Sequence, residues 1–183
     1  MALKATICKA ELHIADMERN YYQDHTITLA RHPSETEERM MVRLLAFALN
    51  AGEAMAFGAG ISTEDEPDLW HKDLTGNIQV WIDVGLPDEK HIRKACGRAD
   101  KVIVYTYGGR AAQLWWQQSG DTLARQEKLT VVDLPQEATR ALAGFATRNM
   151  DLQVTIQDGQ VWISNAAESV HLEPDIKLAA NAD

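Results

Sequence analysis

Alternation of apolar and polar residues predicts strands at the beginning of the chain. In residues 5–14 the side chains of one parity are small or apolar, namely Thr6, Cys8, Ala10, Leu12 and Ile14. Such a period of two is typical of a strand with one buried face. Residues 22–30 are rich in β-forming residues, and the polar segment 16–20 lies between the two stretches. The pattern therefore predicts an N-terminal β-hairpin.

The end of the chain carries a second hairpin pattern. Residues 152–156 and 161–164 are strand-like, and Asp158-Gly159 lies between them. Asp-Gly is a dipeptide that favours tight hairpin turns. The tail after Glu173 has no clear periodicity, so we expect it to lack regular structure.

A helical pattern follows Pro33. Apolar residues recur at helical spacing, at Met41, Val42, Leu44, Leu45, Ala48 and Leu49. This predicts a helix from about residue 34 to about residue 50 with one buried stripe. Ser34 and Glu37 have the spacing of a capping box, so Ser34 is expected to cap the helix. On the same helical wheel, Arg39 and Arg43 are expected to face solvent.

The middle of the chain alternates between strand and helix. Strands are predicted for residues 68–71, 78–84, 101–107 and 129–134, and helices for 87–97, 110–118 and 135–148. The apolar run 101–107 is typical of a strand covered on both faces. The alternation predicts an α/β (α+β) fold in which helices flank a mixed central sheet and the two hairpins are additions. A length of 183 residues without a linker or repeat predicts one domain, residues 1–183.

Composition narrows the functional classes. The chain is 45% hydrophobic and 25% charged, which is ordinary for a globular protein. It contains no apolar run long enough to cross a bilayer and no signal-peptide pattern, so we expect a cytoplasmic protein without a membrane partner. The two cysteines and six histidines lack zinc-site spacing. The net charge of −9 opposes tight nucleic-acid binding but leaves room for a local basic groove.

Glu38 lies inside the apolar stripe of the first predicted helix, one turn before Val42. A carboxylate that faces a core needs a partner or a metal ion. The alternative is that Glu38 reaches the edge of the core and interacts favourably with the N-terminal end of the helix dipole. Both interpretations remain open from the sequence.

Asp68 and Asp83 are expected to face each other across a predicted hairpin. A turn near Thr75-Gly76 pairs residues whose numbers sum to about 151, and these two aspartates have that sum. Like charges opposite each other destabilise a sheet, so the pairing suggests a cation between them. Asp83 interrupts an otherwise apolar strand, which favours a functional role. Asp68 could instead be one more solvated acid of the run that begins at Glu64.

The order of these elements resembles the PD-(D/E)XK nuclease superfamily. An acid lies on the first helix, Pro-Asp opens a strand, and a further acid lies on the next strand. A closer resemblance is to the YaeQ family, a variant of that fold, and it extends over nearly the whole chain. The segments that carry it are HPSETEERMM (32–41), WIDVGLPDE (81–89), AAQLWW (111–116) and IQDG (156–159).

The resemblance implies a restriction-endonuclease-like core, about residues 33–134, with hairpin additions at about 3–31 and 150–165. It also implies that Glu38, Asp68 and Asp83 are catalytic residues that hold Mg²⁺ or Mn²⁺. The superfamily places a lysine two residues after the strand acid, where this chain has Gly85. Lys94 is the candidate replacement, with Lys90 as the alternative, although the helical wheel turns Lys94 away from the buried face.

Two functions follow as expectations. The first is a metal-dependent phosphodiesterase that acts on nucleic acid. The second is a non-catalytic protein of the nuclease fold that binds nucleic acid or a protein partner, which Gly85 and the acidic charge favour. Trp115 and Trp116 are further candidates because tryptophan side chains stack on bases. Adjacent helical residues point in different directions, however, so at least one of the two is expected to lie in a core or an interface.

Overall fold

Two mixed sheets and four helices form in place of the single central sheet predicted from the sequence. The computed structural model describes residues 4–59, 61, 63 and 65–181. Contacts divide the chain into two compact units. The first unit is Met1–Leu49 with Glu137–Pro174, and the second is Asn50–Gln136 with Asp175–Asp183. The α+β class is as predicted, whereas the restriction-endonuclease-like arrangement of the core stays a prediction.

The first unit contains a five-stranded sheet of order β10-β9-β8-β1-β2. Its strands are β1 (Thr6–Asp16), β2 (Tyr21–Arg31), β8 (Asn149–Gln157), β9 (Gln160–Ser164) and β10 (Ser169–Leu172). Both predicted hairpins are present, as β1–β2 and β8–β9. They are parts of one sheet because β1 pairs with β8 in parallel.

Two helices accompany this sheet, α1 (Glu37–Leu49) and α4 (Gln136–Ala143). The predicted stripe is buried except for Leu49, which is partly buried, but the prediction of a single buried face is wrong because residues 40–48 are all buried. The predicted cap is wrong. Thr36 caps α1 by accepting from the backbone N–H of Arg39 (3.0 Å), while the Ser34 hydroxyl contacts the His32 ring. Thr36 stands directly before the first helical residue, where a cap satisfies free N–H groups.

The second unit contains a six-stranded sheet of order β11-β7-β6-β5-β4-β3. Its strands are β3 (Met55–Phe57), β4 (Leu69–Lys72), β5 (Ile78–Val84), β6 (Ala99–Thr106), β7 (Leu129–Asp133) and β11 (Asp175–Leu178). The central strands β5, β6 and β7 are parallel. The helices α2 (Glu89–Arg98) and α3 (Arg110–Leu123) connect them. Trp81, Ile92, Val104 and Leu129 belong to a buried cluster shared by strands and helices.

Several predicted boundaries are wrong. The tail after Glu173 is not irregular, because β11 pairs with β7. The sequence patterns also miss β3 and β10, and the predicted helix 135–148 ends already at Ala143. Within the part of the chain that the structure describes, no helix is long and apolar enough to span a membrane.

Candidate functional site

Asp83 lies near the carboxyl end of β5 with only 6% of its surface exposed. Its Oδ2 accepts a hydrogen bond from the Trp81 indole N–H at 2.8 Å. Trp81 and Asp83 are two residues apart on one strand, so their side chains lie on the same face of the sheet. The same Oδ2 is 2.8 Å from Nε2 of His91. A buried carboxylate is thus held by one neutral donor and one titratable donor.

Asp68 stands opposite Asp83, as predicted. The pairs Leu69–Ile82, Trp70–Trp81 and His71–Val80 fix the register, and one step further along the two strands brings Asp68 opposite Asp83. Asp68 is 2% exposed, so it is not a solvated member of the acidic run. Its Oδ2 accepts from the backbone N–H of Val84 at 2.9 Å. Both carboxylates are therefore buried at the same end of the hairpin.

His91 is a site residue that the sequence analysis missed. Asp88 caps α2 and accepts from the backbone N–H of His91 at 2.8 Å, which fixes the first turn of the helix. That turn places the ring 6.2 Å from the Trp81 ring, edge-on. The hydrogen bond to Asp83 raises the pKa of His91 more than burial lowers it, and the charges of Asp83, Asp88 and Asp68 raise it further.

The sequence contains a signal for His91. The predicted helix 87–97 begins beside Asp88, which caps α2, and His91 is the third residue after that cap. The first turn of a helix that follows a parallel strand returns to the end of that strand. A titratable residue at that position is therefore a candidate neighbour of the acid on the strand.

Glu38 lies in the first unit, whereas Asp68 and Asp83 lie in the second. Its side chain is half-buried, and its Oε2 accepts from the hydroxyl of Thr139 at 2.9 Å. Thr139 is fully buried. Glu38 therefore has a neutral partner at the edge of the core, as one of the two sequence interpretations requires. Its predicted role as a metal ligand stays a prediction.

The arginines beside Glu38 do not face solvent as predicted. Arg43 is buried and donates to both carboxylate oxygens of Glu35, at 2.6 and 2.9 Å. Arg39 donates to Glu35 at 2.6 Å. Residues 40–48 of α1 are buried on every side, so the helix has no solvent-facing side at Arg43, and Glu35, which precedes the helix, supplies the partner. Bidentate geometry makes this a strong buried ion pair.

Lys94 is exposed, and its Nζ is 3.4 Å from a carboxylate oxygen of Asp65, which is also exposed. Gly85 has a φ of 106°, a conformation that glycine adopts and side-chain-bearing residues avoid. The position at which the predicted nuclease motif would have its lysine is thus a backbone turn suited to glycine. His91, and not Lys94, is the basic side chain in contact with Asp83.

Oδ1 of Asp83 has no hydrogen-bond partner among the described residues, so one oxygen of this carboxylate is available to bind a cation.

A second group of possible metal ligands is formed by Glu11, His13 and Asp151 on the sheet of the first unit. The ring of His13 lies between Asp24 (2.9 Å) and Asp151 (3.0 Å), and the bond to Asp24 raises its pKa despite some burial. A protonated His13 balances these acids without a metal ion.

Comparisons with known proteins agree on one family. The sequence model of the YaeQ protein family matches residues 1–174. The relative in Salmonella typhi, named "Uncharacterized protein YaeQ", is 48% identical over 173 residues, which are 94% of this chain and 96% of the relative. The relative of the same name in Escherichia coli strain K12 is 48% identical over 165 residues, 90% of this chain and 91% of the relative.

Two solved structures have the same fold. The crystal structure of the YaeQ protein from Xanthomonas axonopodis pv. citri has a TM-score of 0.93 and 48% identity, and the match covers 96% of this chain and 99% of that one. The YaeQ protein from Pseudomonas syringae has a TM-score of 0.92 and 32% identity, covering 96% of this chain and 97% of that one. None of these names states an activity, so the chemistry of the site is inferred from its residues.

Proposed function

The chain belongs to the YaeQ family, and we propose that it is a divalent-metal-dependent phosphodiesterase whose metal ligands are Asp68 and Asp83. The observation that carries the proposal is the burial of these two carboxylates at one end of the β4–β5 hairpin, with Asp68 directly before β4 and Asp83 near the end of β5. Two like charges in a sheet repel each other, and burial strengthens that repulsion. A divalent cation would offset both costs.

The donor set suits Mg²⁺ or Mn²⁺. Both ions prefer oxygen ligands, and Mg²⁺ is commonly held by one or two carboxylates while it keeps several waters. Asp83 offers Oδ1 and Asp68 offers a second carboxylate, and both backbones are fixed by sheet pairing. When bound, the ion would polarise a phosphoryl oxygen and lower the pKa of a coordinated water.

His91 supplies the proton chemistry in this proposal. In the metal-free protein the hydrogen bond to Asp83 raises the pKa of His91. In hydrolysis, a water oxygen forms the new bond to phosphorus and gives up a proton to the solvent, while the bond to the ester oxygen breaks. We assign to protonated His91 the delivery of its Nδ1 proton to that leaving oxygen, because Nε2 is engaged with Asp83.

The two other predicted catalytic residues have weaker support. Glu38 would be a third acid ligand, and Glu38→Gln tests that role. Lys94 contacts the exposed Asp65 and not Asp83. We therefore assign the role of the motif cation to His91 in place of Lys94.

A cleavage assay tests the proposal. Wild-type protein is incubated with single- and double-stranded DNA and RNA in Mg²⁺ or Mn²⁺, beside Asp83→Asn, Asp68→Asn and Asp121→Asn. Asp121 is an exposed acid of α3 and serves as the matched control. We expect metal-dependent cleavage by the wild type and the control, and a loss of at least about a hundredfold in the other two variants.

The absence of cleavage on all four substrates would favour the non-catalytic alternative, a protein that binds nucleic acid or another protein. The observation on its side is the glycine-specific conformation of Gly85 where the superfamily has lysine. Cleavage that persisted in Asp83→Asn would contradict the assigned site.

A further inference from the structure

A cavity of about 130 Å³ lies in the second unit, beside the carboxyl ends of two parallel strands. Thr106 is the last residue of β6, Asp133 is the last residue of β7, and the two pair in register. Both line the cavity, and α3 contributes Trp115 and Trp116 to its lining. Carboxyl ends of parallel strands are where open α/β sheets bind ligands. At about 30 Å³ for one water in the liquid, the cavity has room for about four waters or for a planar ring system.

Asp133 gives the cavity a hydrogen-bond acceptor. Its Oδ1 accepts from the hydroxyl of Thr106 at 2.7 Å, which fixes the carboxylate. Its other oxygen has no hydrogen-bond partner among the described residues. Burial raises the pKa of Asp133, an effect that the Thr106 hydroxyl and the charge of Lys177 oppose. The ammonium of Lys177 is itself 2.8 Å from Asp175. A half-buried carboxylate of this kind is best satisfied by N–H donors of a ligand.

The two tryptophans give the cavity aromatic faces that are held in place. The indole N–H of Trp115 donates to the carbonyl of Pro87 at 2.8 Å. The ring of Trp116 lies over Gly120, where an added Cβ would come within 3.0 Å of its Cε2. Gly120 therefore makes room for the ring. Fixed indole rings are the surfaces on which planar heterocycles stack.

We propose that this cavity binds a nucleobase of the guanine type, stacked on the tryptophan wall with its N–H donors on Asp133. Guanine presents two adjacent N–H donors on its pairing edge, which match the two oxygens of one carboxylate. Gln113 and Gln117, one helical turn apart on α3, line the same cavity and offer amides to the other polar atoms of the base. A neutral base can enter despite the net charge of −9.

This inference is independent of the metal chemistry proposed for Asp68 and Asp83. If that chemistry is correct, the cavity selects the base next to the bond that is cleaved. If it is wrong, the cavity still binds the base. Binding is therefore measured in EDTA, without any divalent metal, so that the two proposals can fail separately.

The test uses tryptophan fluorescence and calorimetry with guanosine and uridine 5′-monophosphates as probes. We expect saturable binding of the guanine nucleotide and at least about tenfold weaker binding of the uracil nucleotide, whose base has a single N–H donor. Asp133→Asn keeps the shape and the acceptor for Thr106 but puts an amide N–H against the N–H donors of the base. It should weaken guanine binding at least about tenfold.

Two further variants separate binding from folding. Asp121→Asn, on the exposed side of the same helix, should leave binding unchanged. Gly120→Ala should weaken both nucleotides because it displaces the Trp116 ring, while its circular dichroism spectrum shows whether the helix is intact. The proposal is overturned if the folded wild type binds no guanine nucleotide at millimolar concentration, if uracil binds equally well, or if Asp133→Asn binds as the wild type does.

Discussion

At the scale of single residues, His91 connects the charge of the candidate site to the stability of the fold. Its ring nitrogen is 2.8 Å from Oδ2 of Asp83, and this hydrogen bond is the largest cause of its raised pKa. A group whose pKa is raised in the folded state stabilises that state while the group is protonated. The stabilisation is fully present below the ordinary pKa of 6.5 and is lost as pH rises through the raised pKa.

We predict from this that wild type and His91→Gln differ most in stability at low pH. Glutamine keeps a neutral donor near Asp83, so the variant loses mainly the charge. Urea unfolding at about pH 5.5 and about pH 9 measures the difference on either side of the titration. The wild type should be the more stable at the lower pH, and the gap should narrow at the higher pH.

The control for this prediction is the same pair in an Asp83→Asn background. Without the carboxylate, the dependence of the gap on pH should largely disappear. A gap that stayed constant from low to high pH in the wild-type background would show that the ion pair does not form in solution.

A second prediction at the scale of residues concerns the buried ion pair between Glu35 and Arg43. Arg43→Met keeps most of the side-chain volume but removes one of the two arginines paired with the buried Glu35 and leaves Arg39. Loss of one partner from a buried pair costs about 3 kcal/mol of unfolding free energy. Urea unfolding checks this value against Arg93→Met, a change at an exposed position of α2 that should cost less than about 0.5 kcal/mol. An equal effect of the two substitutions would contradict the account.

At the scale of elements, the sequence predicts what depends on local pattern. Alternation predicted β1, the content of β-forming residues predicted β2, and the turn at Thr75-Gly76 predicted the register of β4 against β5. It could not predict that β1 pairs with β8, because that pairing joins residues about 140 positions apart and leaves no local trace. The strands β3, β10 and β11 have three or four residues each, too few for a period to be recognised.

The candidate site also contains residues that the local sequence pattern identifies and residues that it does not. Asp83 was identifiable because a charge interrupts an apolar strand. His91 required the position of α2 relative to β5, which packing decides. The solvent-facing prediction for Arg43 was wrong because its partner, Glu35, lies outside the helix and is invisible to a helical wheel. His91 and the buried position of Arg43 were missed because both depend on tertiary contacts, which residue types alone do not reveal.

Gly85 carries a prediction at this scale because it shapes the connection from β5 to α2. A residue with a Cβ at a φ of 106° is strained, although there is space around the added atom. Gly85→Ala should therefore cost about 1–3 kcal/mol of unfolding free energy. Gly52→Ala, at a glycine that also has open space but not this φ, should change it by less than about 1 kcal/mol. Equal effects of the two substitutions would show that the backbone at residue 85 relaxes freely.

At the scale of the whole molecule, the charge of −9 has two consequences. It opposes a polyanion at long range, so a nucleic-acid substrate has to be held by local contacts and by metal ions. It also raises the local concentration of divalent cations, which favours occupancy of a carboxylate site. A bound metal ion would offset the repulsion at the cleaved phosphate, so metal binding is the claim on which the proposed function depends.

Calorimetric titration with Mn²⁺ tests that claim most directly. The comparison needs the wild type, Asp68→Asn, Asp83→Asn and Glu38→Gln. Asp151→Asn removes a ligand of the separate acidic group on the first unit, and Asp121→Asn is the surface control. We predict saturable binding by the wild type, by Asp151→Asn and by Asp121→Asn, with affinity lost in Asp68→Asn and Asp83→Asn. Loss in Glu38→Gln as well would add the third predicted ligand. Absence of specific binding by the wild type at millimolar Mn²⁺, or unchanged affinity in Asp83→Asn, would contradict the account.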